Sequence, residues 1–135
     1  MSPWNPFSRK SSEDNQVQMS DPQEMSEPND YDSFMQRGWA YHAHGEQEKA
    51  ESDFRRAVSY SPESVDANYA LGLTMKSEGN VQEAIEQFEK TMELILQGKI
   101  ENHSKSEMMR RLTLAHINEL KTGDWNLEDQ IWHQS

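Results

Sequence analysis

Cysteine is absent from the 135-residue chain, which excludes disulfides, thiolate metal sites and cysteine nucleophiles together and fits a reducing compartment. Basic residues are scarce, 13 Lys and Arg against 24 Asp and Glu, for a net charge of -11. Surfaces that read nucleic acid need clustered Lys and Arg to neutralise phosphates, so no nucleic-acid partner is expected. The same charge disfavours an anionic membrane surface. No apolar run approaches the roughly 20 residues of a membrane helix, so the chain is not expected to be membrane-embedded. The N-terminus lacks the apolar core of a secretory signal, and the expected location is cytoplasmic. Apolar residues make up 33% of the chain, too few for all of it to share one packed core. At this length there is one domain at most.

What is present divides in two. The first thirty residues hold four of the five prolines, Pro3, Pro6, Pro22 and Pro28, with six serines and six acids against Arg9 and Lys10. Val17 is their one aliphatic residue apart from methionine. Such a stretch buries too little apolar area to offset the entropy of ordering it, so residues 1–29 read as a disordered acidic tail. Its opening, Trp4-Asn5-Pro6-Phe7 beside Arg9 and Lys10, has the look of a short docking motif, a tripeptide-level signal of low specificity. From Tyr31 onward proline nearly vanishes, glycine recurs at intervals and apolar residues take helical spacing.

A shift of 34 positions superimposes Gly38 on Gly72, Gly45 on Gly79, Ala50 on Ala84 and Phe54 on Phe88. Ala57 meets Thr91 and Pro62 meets Leu96. The first unit carries Phe34, Arg37, Gly38, Tyr41, Ala50, Phe54 and Pro62, and the second Asn68, Leu71, Gly72, Met75, Ala84, Phe88 and Leu96. Gly38, Ala50, Gly72 and Ala84 are small, so that the two helices of a unit can approach closely. Phe54 and Phe88 are expected to fill the space between that pair and the next helix, with Tyr41 and Met75 opposite. Gly45 and Gly79 end the first helix of each unit, where a left-handed residue closes dangling carbonyls. Asn80 with Glu83 suits the start of a second helix, Pro62 stops one, and Ser64 can cap the next.

This spacing resembles the tetratricopeptide-repeat (TPR) family, a 34-residue helix-turn-helix with the pattern W-x2-L-G-x2-Y, A-x3-F and P. Arg37 and Asn68 depart from it at single positions. The resemblance implies an all-α fold, a right-handed α-solenoid, with repeat one over about 31–64 and repeat two over about 65–98. Two repeats leave apolar ends exposed, so residues 30–135 should include a cap. Ser104 and Glu107 form a capping box ahead of a helix over about 105–122, with Met108, Leu112 and Ala115 on its inner stripe and Met109, Ile117 and Leu120 broadening it. Residues 124–135, with Trp125, Leu127, Ile131 and Trp132, read as a C-terminal amphipathic segment.

The family presents the first helix of each pair to a concave groove. By resemblance the groove positions are Asp32, Met35, Trp39, His42 and Ala43, then Asp66, Tyr69, Leu73, Lys76 and Ser77. Met35, Trp39, Tyr69 and Leu73 make an apolar strip able to anchor a partner segment, flanked by His42 and Lys76. Co-chaperone members grip a carboxylate with Lys and Asn at the places held here by Met35, Trp39, Tyr69 and Leu73, so that clamp is absent. Alternatively, Trp39 packs against a neighbouring helix, or the chain's own tail covers the strip.

Metal chemistry finds little support. His42 and His44 lie two apart on a helix and point to opposed faces, His116 and Glu119 share a face without further ligands, and His103 and His133 fall in loop and terminus. No phosphate loop or nucleophile elbow is recognisable. The chain reads as a non-enzymatic adaptor or assembly factor without a cofactor, binding a peptide or helix of another protein. Self-association into a homodimer and an acidic surface that takes a basic protein are the alternatives. Gln87 is expected to face solvent.

Overall fold

The computed structural model describes residues 21, 22 and 27–123. Among the described residues five helices follow one another: α1 (Tyr31–Ala43), α2 (Gln47–Tyr60), α3 (Val65–Ser77), α4 (Val81–Leu96) and α5 (His103–Thr122). No strand occurs among the described residues, and no described helix is long and apolar enough to cross a membrane. Each helix packs on the next, and α1 also touches α3. The result is two helical hairpins, α1–α2 and α3–α4, stacked as an α-solenoid with α5 against the last.

Local chemistry sets the boundaries. Asp30 caps α1 by accepting from the Ser33 amide (2.8 Å), and Ser64 caps α3 by accepting from Ala67 (3.0 Å). These bonds satisfy amides that have no partner within the first turn. Gly45 and Gly79 adopt φ of 81° and 82°. The amides after them close back on the helix, Glu46 to the Tyr41 carbonyl (2.9 Å) and Asn80 to Met75 (3.0 Å). That six-residue closure already fixes the turn. Asn80 accordingly makes no side-chain cap, and the expected arrangement with Glu83 does not form. α5 starts earlier than its capping box suggests, because Asn102 accepts from Lys105 (2.8 Å) and takes the role assigned to Ser104.

Phe54 and Phe88 have no exposed surface and sit against Gly38 and Gly72. A Cβ at Gly38 would lie 2.6 Å from Phe54 Cε1, and one at Gly72 2.7 Å from Phe88 Cε1. The smallest residue is needed there because an aromatic edge occupies the place of its side chain. Around these rings Ala50, Ala57, Ala67, Ala70 and Ala84 are buried with Tyr41, Leu71 and Met75.

The two departures from the repeat are polar sites with internal partners. Arg37 holds Asp53 through two bonds, Nε to Oδ2 and Nη2 to Oδ1, both 2.8 Å. Asn68 is fully buried; its Nδ2 donates to the carbonyls of Ser64 (2.7 Å) and Pro62 (3.2 Å), and its Oδ1 accepts from Gln87 Nε2 (2.7 Å). Asp53 and Gln87 stand 34 residues apart, at one repeat position. Gln87 is therefore half-buried and bonded, contrary to its expected solvent orientation.

The inner stripe of α5 also differs from expectation. Met108 and Leu112 are exposed, at 53% and 38%, while Met109, Thr113, His116 and Ile117 turn inward. Met109 joins Val65, Leu94 and Ile95 in a second apolar cluster. Of the N-terminal tail, the described residues lie on the first repeat: Pro22 and Pro28 are buried, Glu27 approaches Arg37 (3.5 Å), and Tyr60 Oη donates to the Asn29 carbonyl (3.3 Å). The Trp4–Phe7 opening and the Trp125–Trp132 segment lie outside the described residues.

Candidate partner-binding groove

Tyr31, Met35 and Trp39 are four apart on α1 and share one face. Opposite them Asp66 and Tyr69 project from α3 and Met109 from α5, and the six enclose an open pocket of about 380 Å³. Four of the expected groove residues, Met35, Trp39, Asp66 and Tyr69, are thereby brought together. Tyr31 and Met109 also line the pocket and were not among the expected groove positions. Tyr31 precedes the positions that the resemblance supplies, and Met109 had been placed beside the inner stripe of its helix.

The walls differ in character. Trp39 is 38% exposed although its ring edge meets Phe54 at a centroid distance of 5.0 Å. It thus packs against a core aromatic and offers its outer surface to the pocket. Met35 is 9% exposed and forms the floor. Polar groups hold the rim: Tyr31 Oη bonds Ser64 Oγ (2.7 Å), and Asp66 pairs with Lys105 (3.0 Å).

The rest of the expected strip is engaged within the fold. Leu73 is half-buried against the main core. His42 Nδ1 bonds Gln47 Oε1 (2.8 Å), and its ring lies edge-on to Trp39. Lys76 reaches across to α5, where it meets both His116 Nδ1 (3.0 Å) and the Glu119 carboxylate.

His116 is the junction of this second wall. Its ring stacks on Phe88 at 4.9 Å with planes 5° apart, and Nε2 lies 3.0 Å from Tyr69 Oη. An ammonium only donates, so Nδ1 accepts from Lys76, and the proton of a neutral ring sits on Nε2 and is donated to Tyr69. Burial, then the Lys76 charge, pull the His116 pKa down to about 4, with Glu119 opposing. Burial also raises the Tyr69 hydroxyl above its ordinary value. At neutral pH both ring nitrogens are in use, so His116 orients Tyr69 rather than serving as a proton carrier. Among the described residues no group of three His, Asp or Glu side chains is placed to hold a metal.

A larger opening, about 660 Å³, lies over the turn between the hairpins, lined by Tyr31 and Ser61–Ser64. Its walls are mostly turn residues and short polar side chains, whereas affinity for a protein segment comes chiefly from aromatic anchors. The Trp39 groove is therefore the stronger candidate. Residues 31–64 and 65–96 each match the family model described as Tetratricopeptide repeat. No curated protein and no solved structure matches the chain.

Proposed function

The chain belongs to the tetratricopeptide-repeat family, whose repeats mediate protein–protein interaction, and from that premise we propose that it is an adaptor or assembly factor. Its groove between α1, α3 and α5 takes an apolar side chain from a helix or extended segment of another protein. One observation carries this reading: Trp39 keeps 38% of its surface open inside a pocket walled by Met35, Tyr69 and Met109. A tryptophan held on one side by a core ring and open on the other is pre-positioned, so little side-chain entropy is lost when a partner covers it. Met108 and Leu112, exposed on α5, extend the apolar surface available on that helix.

The test is capture of a partner from the native host with immobilised protein, followed by affinity measurement with Trp39→Ala. Loss of the captured partner with Trp39→Ala, at unchanged helix content, supports the groove. Equal affinity for the variant moves the interaction elsewhere.

A second reading rests on the net charge of -11. An acidic surface attracts a basic partner, and that attraction weakens as ionic strength rises. Binding indifferent to Trp39→Ala that collapses in moderate salt selects this alternative.

A further inference from the structure

α5 stands apart from the other described helices in its charge. It carries Lys105, Arg110, Arg111 and Lys121 against Glu107 and Glu119, and it is the one described helix with a net positive charge. Acids and bases balance in α1, α2 and α3, and acids prevail in α4. A chain of net charge -11 thus keeps a cationic surface on its last described helix.

The exposed face in the first half of that helix is also apolar. Met108 and Leu112 are 53% and 38% exposed and lie one turn apart on one side. Lys105 stands a turn before Met108 and Arg111 a turn after it, so cations flank the apolar pair. Lys105 is held by Asp66 (3.0 Å) and Arg110 by Glu107 (3.1 Å). Arg111 is exposed and pairs with no carboxylate among the described residues. Consecutive helix residues differ by about 100° in direction. Met108 therefore points away from Met109, which lines the Trp39 groove, and the patch is a surface of its own.

An apolar pair beside a guanidinium is complementary to a segment that carries apolar side chains and a carboxylate. We propose that the first half of α5 docks an acidic amphipathic segment of another protein, its apolar side chains over Met108 and Leu112 and a carboxylate on Arg111. The net charge of the chain does not oppose this, because exposed charges farther away than about 8 Å are largely screened at physiological ionic strength. A second copy fits less well. Two side chains and one guanidinium are a small part of the roughly 800 Å² that each partner buries in a stable dimer. An anionic membrane also fits less well, since a broad surface meets the acidic α4 beside the patch, whereas a short segment meets α5 alone.

The probe is a peptide of about 14 residues with leucines at helical spacing and glutamates elsewhere, compared with its counterpart bearing lysines for glutamates. Added to the full unsubstituted chain, the acidic peptide should shift the Met108 methyl resonance, and the basic one should leave it in place, a readout that needs no variant to fold. Arg111→Glu and Leu112→Ser, both at exposed positions, should each weaken the acidic peptide about tenfold or more, with circular dichroism confirming helix content. Arg111→Glu should let the basic peptide shift the resonance instead. Trp39→Ala should leave the affinity unchanged, which separates this surface from the groove. No shift with the acidic peptide, equal shifts with both, or a loss with Trp39→Ala in place of Arg111→Glu overturns the proposal. Binding of phosphatidylserine vesicles in place of the peptide assigns the face to a membrane, and a dimer broken by Leu112→Ser assigns it to a second copy; either result overturns it as well.

Discussion

Arg37 and Asp53 are joined by two parallel bonds of 2.8 Å, with the Asp53 side chain only 3% exposed. The second hairpin has Leu71 at the position of Arg37 and buries it in the core. One repeat thus uses an ion pair where the other uses packing. The hydrogen bond to the Asp53 carboxylate raises the Arg37 pKa above its ordinary value, so the guanidinium stays charged. Removing one partner leaves a charge that the fold has already desolvated. Asp53→Ala should cost about 3 kcal/mol, whereas Arg37→Leu combined with Asp53→Ala should recover most of that. Urea denaturation of the single and double variants measures the difference. Additive losses in the double variant would show that the two residues are not coupled.

The glycine–phenylalanine contact inside each hairpin predicts a second result. Gly72→Ala places a methyl 2.7 Å from the Phe88 ring, so α3 and α4 must part or the ring must move. The expected loss is about 1–3 kcal/mol, and Gly38→Ala should behave alike. Lys90, exposed on α4, is the control, with Lys90→Ala within about 0.5 kcal/mol. Thermal unfolding that fails to separate the glycines from Lys90 would contradict the close approach.

Acid should weaken the fold through His116. Its folded pKa is about 4 against 6.5 for the free ring. Between these values the unfolded chain binds a proton that the folded chain does not, so stability falls as pH drops from about 6.5 to about 4 and then levels. Allowing for solvent screening, the loss is roughly 1–2 kcal/mol. Glu78 opposes it: burial, then its hydrogen bond to Glu51 and the charges of Glu51 and Glu48, push its pKa up to about 7. That contribution is present below pH 4.5 and fades as pH rises through 7. The two slopes overlap, so the comparison is between variants. Against the unsubstituted chain, His116→Gln should remove the acid-side loss, and Glu78→Gln should remove the loss on the neutral side. Unaltered pH profiles in both variants would count against these assignments.

Binding and stability should separate at Trp39 and Tyr69. Trp39→Ala should lower partner affinity by about 2 kcal/mol or more, as buried aromatic anchors do. Its cost to folding should stay near 1 kcal/mol, because much of the ring already faces solvent. Tyr69→Phe keeps the ring in the pocket but removes the hydroxyl that bonds His116. It should therefore retain most affinity while changing the titration of the His116 ring, followed by NMR. Affinity lost with Tyr69→Phe and kept with Trp39→Ala would move the recognition from the apolar surface to the hydroxyl.

By itself, the sequence determined the number and period of the hairpins, because those rest on local requirements. A glycine must stand where a ring passes, another must turn left-handed at φ of about 80°, and Ser64 must supply an acceptor to a helix start. Each of these leaves a residue type at a fixed spacing. The tertiary structure alone decided what the exceptions do. Arg37 and Asn68 look like faults in the repeat until Asp53 and Gln87 are seen to satisfy them from 16 and 19 residues away. Part of the inward face of α5 departs from its hydropathy pattern for the same reason. Thr113 and His116 are polar in any hydropathy pattern, yet they are buried, and His116 finds its partners on α3, in Tyr69 and Lys76. Met108 and Leu112, apolar by type, are left outside. Hydropathy records the cost of burying a side chain alone, whereas burial in the fold also depends on the partners that packing brings to it.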